Sequence, residues 1–270
     1  MSTRQTAPPP EQPGRLHPAR LLVLGANGPT GRQVVRQALA RGHRVQALTR
    51  HPETFPVRHD RLDVVAGDAT AAGVLDAAVE ASDAVVCTIG TAFTRRPVRV
   101  YSATADLLVQ AMLRHRRRRL VTVTSAGLTP SHPPGGSTGS APAGSGVGAL
   151  VRTARHALDH DRVRDAFRAV MRHHVGRTVY DDMAAMEAVV RAGDLDWTIV
   201  RPPGLTDAPG RGYVAEETEV EGALCAREDL AAMLLDQLED DRFVRKVAAV
   251  ATPGLRVGAL HMLWHEVLKR

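Results

Sequence analysis

The sequence predicts an α/β fold built on a doubly wound, mostly parallel sheet with a small additional region at the C-terminus. Short runs rich in valine, leucine and isoleucine alternate with longer amphipathic stretches. The runs are nearly continuous in apolar residues, as expected for strands that helices cover on both faces. A glycine-rich turn follows the first run and opens the first amphipathic stretch, which completes a βαβ unit.

The elements follow one another in a regular order. The predicted strands cover residues 20–25, 45–49, 62–66, 84–89, 120–124 and 197–201. The predicted helices between them cover residues 31–41, 73–81, 100–117 and 181–192. The small C-terminal region is predicted to contain a helix over 227–238, a strand over 247–251 and a helix over 257–268.

We predict a single domain over residues 19–270, preceded by a leader and interrupted by one insertion. Residues 1–18 are rich in proline and lack the apolar segment of a secretion signal, which predicts a disordered leader. The insertion covers residues 129–173: its first half is rich in glycine, serine and proline, and its second half is charged and amphipathic. A lid over a binding site and an ordinary surface insertion both fit this pattern.

Composition and charge exclude several classes of protein. The formal net charge is +6, and the most basic stretch covers residues 114–119. This stretch ends a predicted helix, where cations are favoured, and an aromatic content of 3% leaves few rings on which nucleobases could stack. We therefore favour helix capping over a nucleic-acid patch. No apolar run is long enough to span a membrane. Cys87 and Cys225 lack metal-binding spacing, which predicts a cytoplasmic protein without a metal site.

The turn GANGPTG after the first strand has the composition of a dinucleotide-binding loop. Gly25 suits a tight turn, Gly28 allows close approach of a pyrophosphate, and Gly31 allows the helix to pack near the strand. The N–H groups at the start of that helix would then face the anion. The predicted cofactor residues in this turn are Gly25, Asn27, Gly28, Pro29, Thr30 and Gly31.

The second strand ends at Arg50, at a position where NAD-binding proteins often carry an acid. A carboxylate there would bind the ribose hydroxyls of NAD, whereas a guanidinium can bind the 2′-phosphate of NADP. A simple solvated arginine is the alternative in a chain this rich in arginine. We predict NADP (NADPH) as the cofactor.

Seven motifs in this order resemble the atypical short-chain dehydrogenase/reductases, and within them the NmrA-like and flavin or biliverdin reductase-like NAD(P)H-binding group. The motifs are GANGPTG, LTRHPE, VAGDAT, VVCTIGT, LVTVTSAG, DWTIVRPPGLTD and REDLAAMLL. The resemblance covers residues 20–128 and 176–253 and implies a Rossmann-type fold with a C-terminal substrate region.

The resemblance also implies where the cofactor lies. Asp68 and Ala69 would meet the adenine. The backbone of Thr88, Ile89, Gly90 and Thr91 would run under the ribose and diphosphate. Thr124 and Ser125 would lie close to the nicotinamide ribose, and Pro202 would lie near the carboxamide. All of these residues follow predicted strands, where ligands bind in this architecture; without the resemblance they would be turn residues.

The predicted function is that of an NADPH-dependent reductase acting on a flavin, quinone, enone or ketone. The tyrosine–lysine pair of typical short-chain dehydrogenases is absent from the sequence, because Ala105, Ala184 and Glu217 stand four positions after the three tyrosines. Candidate catalytic residues are Ser125 and Tyr180, with Asp181 or Asp182 as further candidates.

Two other functions remain open from the sequence. A redox-silent, NmrA-like nucleotide sensor would suit the missing pair, and an isomerase or cyclase could use the same fold. The predicted partner is a small-molecule substrate, without nucleic acid or membrane, and the predicted protein is a monomer or homodimer.

Overall fold

A large, mostly parallel sheet forms the centre of the protein. The computed structural model describes residues 19–94, 96–128 and 177–255. Its first six strands are β1 (Arg20–Leu24), β2 (Arg44–Thr49), β3 (Leu62–Ala66), β4 (Ala84–Cys87), β5 (Arg119–Val123) and β6 (Asp196–Arg201). The helices that connect or precede them are α1 (Pro29–Ala40), α2 (Ala72–Glu80), α3 (Val100–Arg114) and α4 (Arg177–Ala192).

The C-terminal region adds four more strands and one helix. These are β7 (Gly204–Thr206), β8 (Val214–Glu216), β9 (Leu224–Ala226), α5 (Arg227–Asp236) and β10 (Lys246–Ala251). The large sheet has the order β3-β2-β1-β4-β5-β6-β10-β8, and only β8 runs antiparallel within it. Strands β7 and β9 pair in parallel as a second small sheet. The predicted doubly wound α/β fold is confirmed.

Helices cover both faces of the sheet. Strand β1 shows this directly, because Leu21 and Val23 pack on the side of α1 and α5, whereas Leu22 and Leu24 pack on the side of α2, α3 and α4. All four side chains are fully buried. Burial on both faces explains why the strand sequences are continuously apolar rather than alternating.

The predicted elements differ from the observed ones by more than two residues at three places. Helix α4 begins at Arg177 rather than 181, α3 ends at Arg114 rather than 117, and β7, β8 and β9 were not predicted. Each of these strands has three residues, too few to show a hydrophobic period. The predicted leader, the insertion over 129–173 and the last predicted helix lie outside the described residues.

Much of the basic stretch contacts the protein itself. Arg114, the last residue of α3, pairs with Asp76, and Arg117 Nη2 donates to the Glu80 carbonyl at 2.8 Å. Arg119 is buried and donates to backbone carbonyls and to Thr198 Oγ1, and burial lowers the pKa of its guanidinium to about 10. These contacts support helix capping as the role of the stretch. None of the helices in the described part of the chain is long and apolar enough to cross a membrane.

Candidate functional site

The turn between β1 and α1 needs glycine for reasons that the coordinates make specific. Gly25 has a φ of +72°, and a Cβ there would lie 2.6 Å from the Thr88 carbonyl oxygen. A Cβ on Gly31 would lie 2.2 Å from the Gly25 carbonyl oxygen. A Cβ on Gly28 would meet its nearest protein atom at 3.2 Å, which is tight but not a clash. The fold therefore requires Gly25 and Gly31 more strictly than Gly28.

The start of α1 presents free N–H groups. Gly28 is the N-cap residue, Pro29 follows it, and no side chain of the described residues caps the helix. The first bond within the helix runs from the Arg32 N–H to the Gly28 carbonyl at 2.9 Å. The N–H groups of Thr30 and Gly31 therefore have no acceptor inside the helix, an arrangement that suits an anion.

Asn27 fixes the glycine turn to the segment after β2. Its side-chain amide donates to Thr54 Oγ1 at 3.0 Å, and its Oδ1 accepts from Arg32 Nε at 3.0 Å and Nη2 at 2.8 Å. Three of the four hydrogen bonds that this side chain can make are thus formed within the protein. Asn27 therefore holds the shape of the turn. It lines the same cleft as Arg50.

A cleft of about 1690 Å³ runs along the carboxyl ends of the parallel strands. Every residue predicted to bind the cofactor lines it except Gly31, which is buried beneath the turn, and Ser125 and Tyr180 line it as well. The predicted lining residues are Gly25, Asn27, Gly28, Pro29, Thr30, Arg50, Asp68, Ala69, Thr88, Ile89, Gly90, Thr91, Thr124, Ser125, Tyr180 and Pro202. The fold thus gathers residues that are up to about 180 positions apart into one cavity.

Arg50 and Asp68 lie at the end of the cleft formed by β2 and β3. Asp68 accepts hydrogen bonds from the Thr70 N–H at 2.8 Å and from Thr70 Oγ1 at 2.7 Å. These bonds lower the pKa of Asp68, and the positive charge of Arg50 lowers it further. The side chain of Arg50 is exposed on the cleft wall. This end of the cleft therefore presents one cation beside one ionised carboxylate.

Ser125 and Tyr180 come together at the opposite end. Ser125 Oγ accepts a hydrogen bond from the Gly127 N–H at 3.2 Å. The ring of Tyr180 packs against Gly127, where a Cβ would lie 2.8 Å from Tyr180 Cε1. Phe93 stacks beside Tyr180 with ring centroids 5.8 Å apart. Two hydroxyl groups and an aromatic pair thus share this part of the cleft.

The two aspartates proposed as further proton donors lie outside the lining of the cleft that the described residues form. Asp182 is buried, and its carboxylate accepts the Tyr101 N–H at 2.8 Å and the Ser102 N–H at 3.2 Å. It therefore caps the start of α3 from the neighbouring helix. Asp181 is exposed and pairs with Arg177 at 3.6 Å, and neither aspartate is part of the lining that the described residues form.

A buried charged cluster supports the ends of β5 and β6, and sequence reasoning missed it. The Glu187 carboxylate accepts from Thr124 Oγ1 at 2.7 Å and from Arg201 Nε at 2.9 Å and Nη2 at 2.6 Å. Arg191 adds a longer contact at 3.2 Å. Burial raises the pKa of Glu187, but the bonds from Arg201 and Thr124 outweigh it and hold the pKa below its usual value. Glu187 is therefore ionised, and its carboxylate holds the Thr124 side chain from the side away from the cleft.

Several lining residues carried no recognisable signal in the sequence. They come from loops, from the short strands β7 and β9 and from the N-terminal halves of α4 and α5. The most notable are Phe93, Arg99, Met183, Leu205, Leu224 and Arg227. The REDLAAMLL motif that contains Arg227 was noted only as part of a helix, although its first residue reaches the cleft.

Neither cysteine is available for chemistry at the surface, because Cys87 and Cys225 are both buried and free. Burial raises the pKa of both thiols, that of Cys225 to about 12. Within residues 19–94, 96–128 and 177–255, no three histidine, cysteine, aspartate or glutamate side chains are close enough to hold a metal ion. The candidate site is therefore the cleft itself.

Comparison with solved structures finds the same fold in other proteins. A short-chain dehydrogenase/reductase of Veillonella parvula in complex with NADP superposes with a TM-score of 0.63 at 21% identity, covering 87% of this chain and 95% of that one. ChuY, an anaerobilin reductase of Escherichia coli O157:H7, superposes with a TM-score of 0.59 at 20% identity, covering 88% and 100%. At these identities the likeness shows the Rossmann-type fold.

Sequence comparison finds a family and a short curated match. The UPF0659 protein C216.03 of Schizosaccharomyces pombe is 41% identical over 56 residues, which is 21% of this chain and 23% of that protein. The match thus spans under a quarter of that relative. A family model described as NAD(P)H-binding matches residues 25–160 and 145–241, most of the chain. Together with the glycine turn and the Rossmann-type sheet, this match shows that the chain belongs to the NAD(P)H-binding family.

Proposed function

We propose that the protein is an NADPH-dependent reductase that delivers a hydride to a small conjugated or carbonyl compound. One observation carries the proposal: a single cleft joins the glycine turn at the start of α1 to the hydroxyls of Ser125 and Tyr180. The first feature suits a diphosphate and the second suits proton transfer. A cleft at the carboxyl ends of the strands is where this architecture binds its ligands.

The two ends of the cleft support an orientation for the dinucleotide. The diphosphate would lie on Gly28 and the free N–H groups of α1, and the adenine half would extend toward Asp68. The nicotinamide half would then extend toward Ser125 and Pro202, at the ends of β5 and β6. In this orientation Glu187 holds Thr124 in place beneath the nicotinamide ribose.

Reduction of a carbonyl or enone adds one hydride and one proton. NADPH supplies the hydride when it is bound, and the protein must hold the substrate and supply the proton. The Ser125 oxygen accepts the Gly127 N–H, which leaves its own O–H free to donate to a substrate oxygen. Tyr180 is the second donor, with Ala184 rather than lysine four positions later.

A preference for NADPH over NADH is expected from Arg50. A charge-assisted hydrogen bond to the 2′-phosphate contributes about 1.5–3 kcal/mol, which is about 10–100-fold in the dissociation constant. Arg50→Asp should remove or reverse this preference when both dissociation constants are measured by titration. Arg44→Asp is the matched control, because Arg44 is exposed at the opposite end of β2 and the substitution changes the net charge equally. Equal affinity of the wild type for both cofactors would contradict the assignment.

Turnover decides between the candidate functions. NADPH oxidation should be measured against a panel of a flavin, a quinone, an enone and a ketone, with binding of NADPH measured separately. Oxidation of NADPH with at least one class of acceptor supports the reductase. Replacement of the residue that donates the proton, by Tyr180→Phe or Ser125→Ala, should then lower kcat by about 100-fold or more. Tight NADPH binding without oxidation of any acceptor would instead favour the redox-silent sensor or a non-redox enzyme.

A further inference from the structure

We propose that the substrate is a planar conjugated compound with a carboxylate, and that Arg99 binds this carboxylate. The inference rests on the proposed reductase function, because that function makes the bound compound a substrate. The walls of the cleft indicate the chemistry of the ligand through their apolar surface, their charges and the position of Arg99.

The end of the cleft beyond Ser125 is mainly apolar. Phe93 and Tyr180 form an aromatic wall, and Phe93 remains 39% exposed although it is a large apolar side chain. Met183, Leu205 and Leu224 line the same end. Aromatic and thioether side chains stack well on flat conjugated rings. This surface therefore favours a planar ligand over a flexible polar one.

Two of the three arginines that line the cleft, Arg50 and Arg99, have no ion pair within the described residues. Arg227 is paired with Asp207 at 2.9 Å, and Arg50 lies beside Asp68 at the other end. Arg99 is exposed and lines the cleft, yet it has no ion pair or side-chain hydrogen bond within the described residues. An arginine without an ion pair beside an apolar surface favours a ligand that carries an anionic group.

Arg99 lies on the substrate side of the cleft because of how α3 begins. It immediately precedes α3, whose first turn is bound to the Asp182 carboxylate on α4. Asp182 lies between Tyr180 and Met183 in sequence, so the start of α3 lies against the turn of α4 that carries these two lining residues. The guanidinium thus belongs to the aromatic end of the cleft rather than to the end that Arg50 occupies.

A carboxylate suits the geometry of this cation. The planar guanidinium fork can donate two parallel hydrogen bonds to a carboxylate, and such charge-assisted bonds are stronger than neutral ones. The site is open to water, which weakens the attraction. We therefore expect about a 10-fold effect on the dissociation constant, at the lower end of the range for a bond to a charged group.

The test uses two probes of the same shape that differ in charge. Naphthoate and naphthamide are titrated into the full-length protein, with NADP⁺ present in excess so that the anion-binding groups of the cofactor end are filled. The wild type should bind naphthoate about 10-fold more tightly than naphthamide. Arg99→Gln should reduce this ratio to near one while leaving the affinity for naphthamide unchanged.

Arg96→Gln is the matched control. Arg96 is an exposed arginine in the same loop that does not line the cleft formed by the described residues. Its replacement should keep the wild-type ratio. Equal binding of both probes by the wild type, or a preference that survives Arg99→Gln, would overturn the proposal. Probe binding needs no turnover and can be repeated without nucleotide, so failure of the reductase assay and failure of this inference are separate results.

Discussion

Replacing Glu187 with alanine is expected to lower the free energy of unfolding by about 3–5 kcal/mol. The carboxylate is nearly inaccessible, with 6% of its side chain exposed, and it neutralises Arg201, which is itself 17% exposed. Removal would take one charged partner from the largely buried Arg201 guanidinium and would also take the acceptor from Thr124 Oγ1. The loss should therefore exceed that of any single surface ion pair.

Asp181→Ala provides the comparison on the same helix. The Arg177–Asp181 pair has both side chains more than 70% exposed, so its removal should change stability by about 0–1 kcal/mol. Urea unfolding of the wild type and both variants measures the two differences. Similar losses in the two variants would show that the buried cluster contributes no more than a solvated pair.

The same contact gives an expected pH dependence. Because the pKa of Glu187 is lowered in the folded state, its stabilisation is complete above the ordinary glutamate pKa and is lost as the pH falls through the folded-state pKa. The difference between the wild type and Glu187→Ala should thus be full at neutral pH and should shrink below about pH 4. A difference that grows on acidification would contradict the assigned ionisation.

Two alanine substitutions in the glycine turn are expected to have different effects, one on stability and the other on NADPH binding. Gly31→Ala places a Cβ 2.2 Å from the Gly25 carbonyl oxygen and 2.8 Å from Ala26 Cα, both backbone atoms that cannot move aside without distorting the turn. It should destabilise the protein by about 3 kcal/mol or more, at or above the upper end of ordinary overpacking. Gly28→Ala meets nothing closer than 3.2 Å, at φ −70° and ψ 161°, which any residue can adopt.

Gly28→Ala should therefore fold with nearly unchanged stability but bind NADPH at least about 10-fold more weakly, because the added methyl group occupies the path of the diphosphate. Thermal unfolding without nucleotide and cofactor titration separate the two effects. Gly73→Ala is a control, since a Cβ there meets no atom within 4 Å. Wild-type NADPH affinity in Gly28→Ala would show that the diphosphate does not approach this residue.

The sheet and the position of the cleft could be predicted from the sequence because both depend on local patterns. The strands are continuous apolar runs, and the carboxyl ends of parallel strands meet at one edge, so the sequence predicts a binding site there. The family resemblance assigned Asp68 and Ser125 to that site, and both residues line the cleft. The glycine turn predicted the cofactor site, because the backbone atoms around Gly25 and Gly31 leave no room for a Cβ atom.

The remainder depends on contacts between distant residues. Nothing in the sequence around Glu187 shows that its carboxylate would turn toward Arg201, fourteen positions later, rather than toward solvent. Asp182 is a catalytic candidate in the sequence, yet in the structure it caps α3, whose Ser102 is eighty residues away. Arg99 lies in a loop without periodicity, and only its place beside the cleft distinguishes it from the many other arginines.

The bond between Asp182 and the start of α3 has a consequence for the thermodynamics of binding. The first turn of a helix is ordinarily prone to fraying, but here both Tyr101 and Ser102 are held by a buried carboxylate on a second helix. The wall that carries Arg99 is thus ordered before any ligand arrives. A ligand that binds there pays little conformational entropy to arrange the protein, so more of its contact energy remains as affinity.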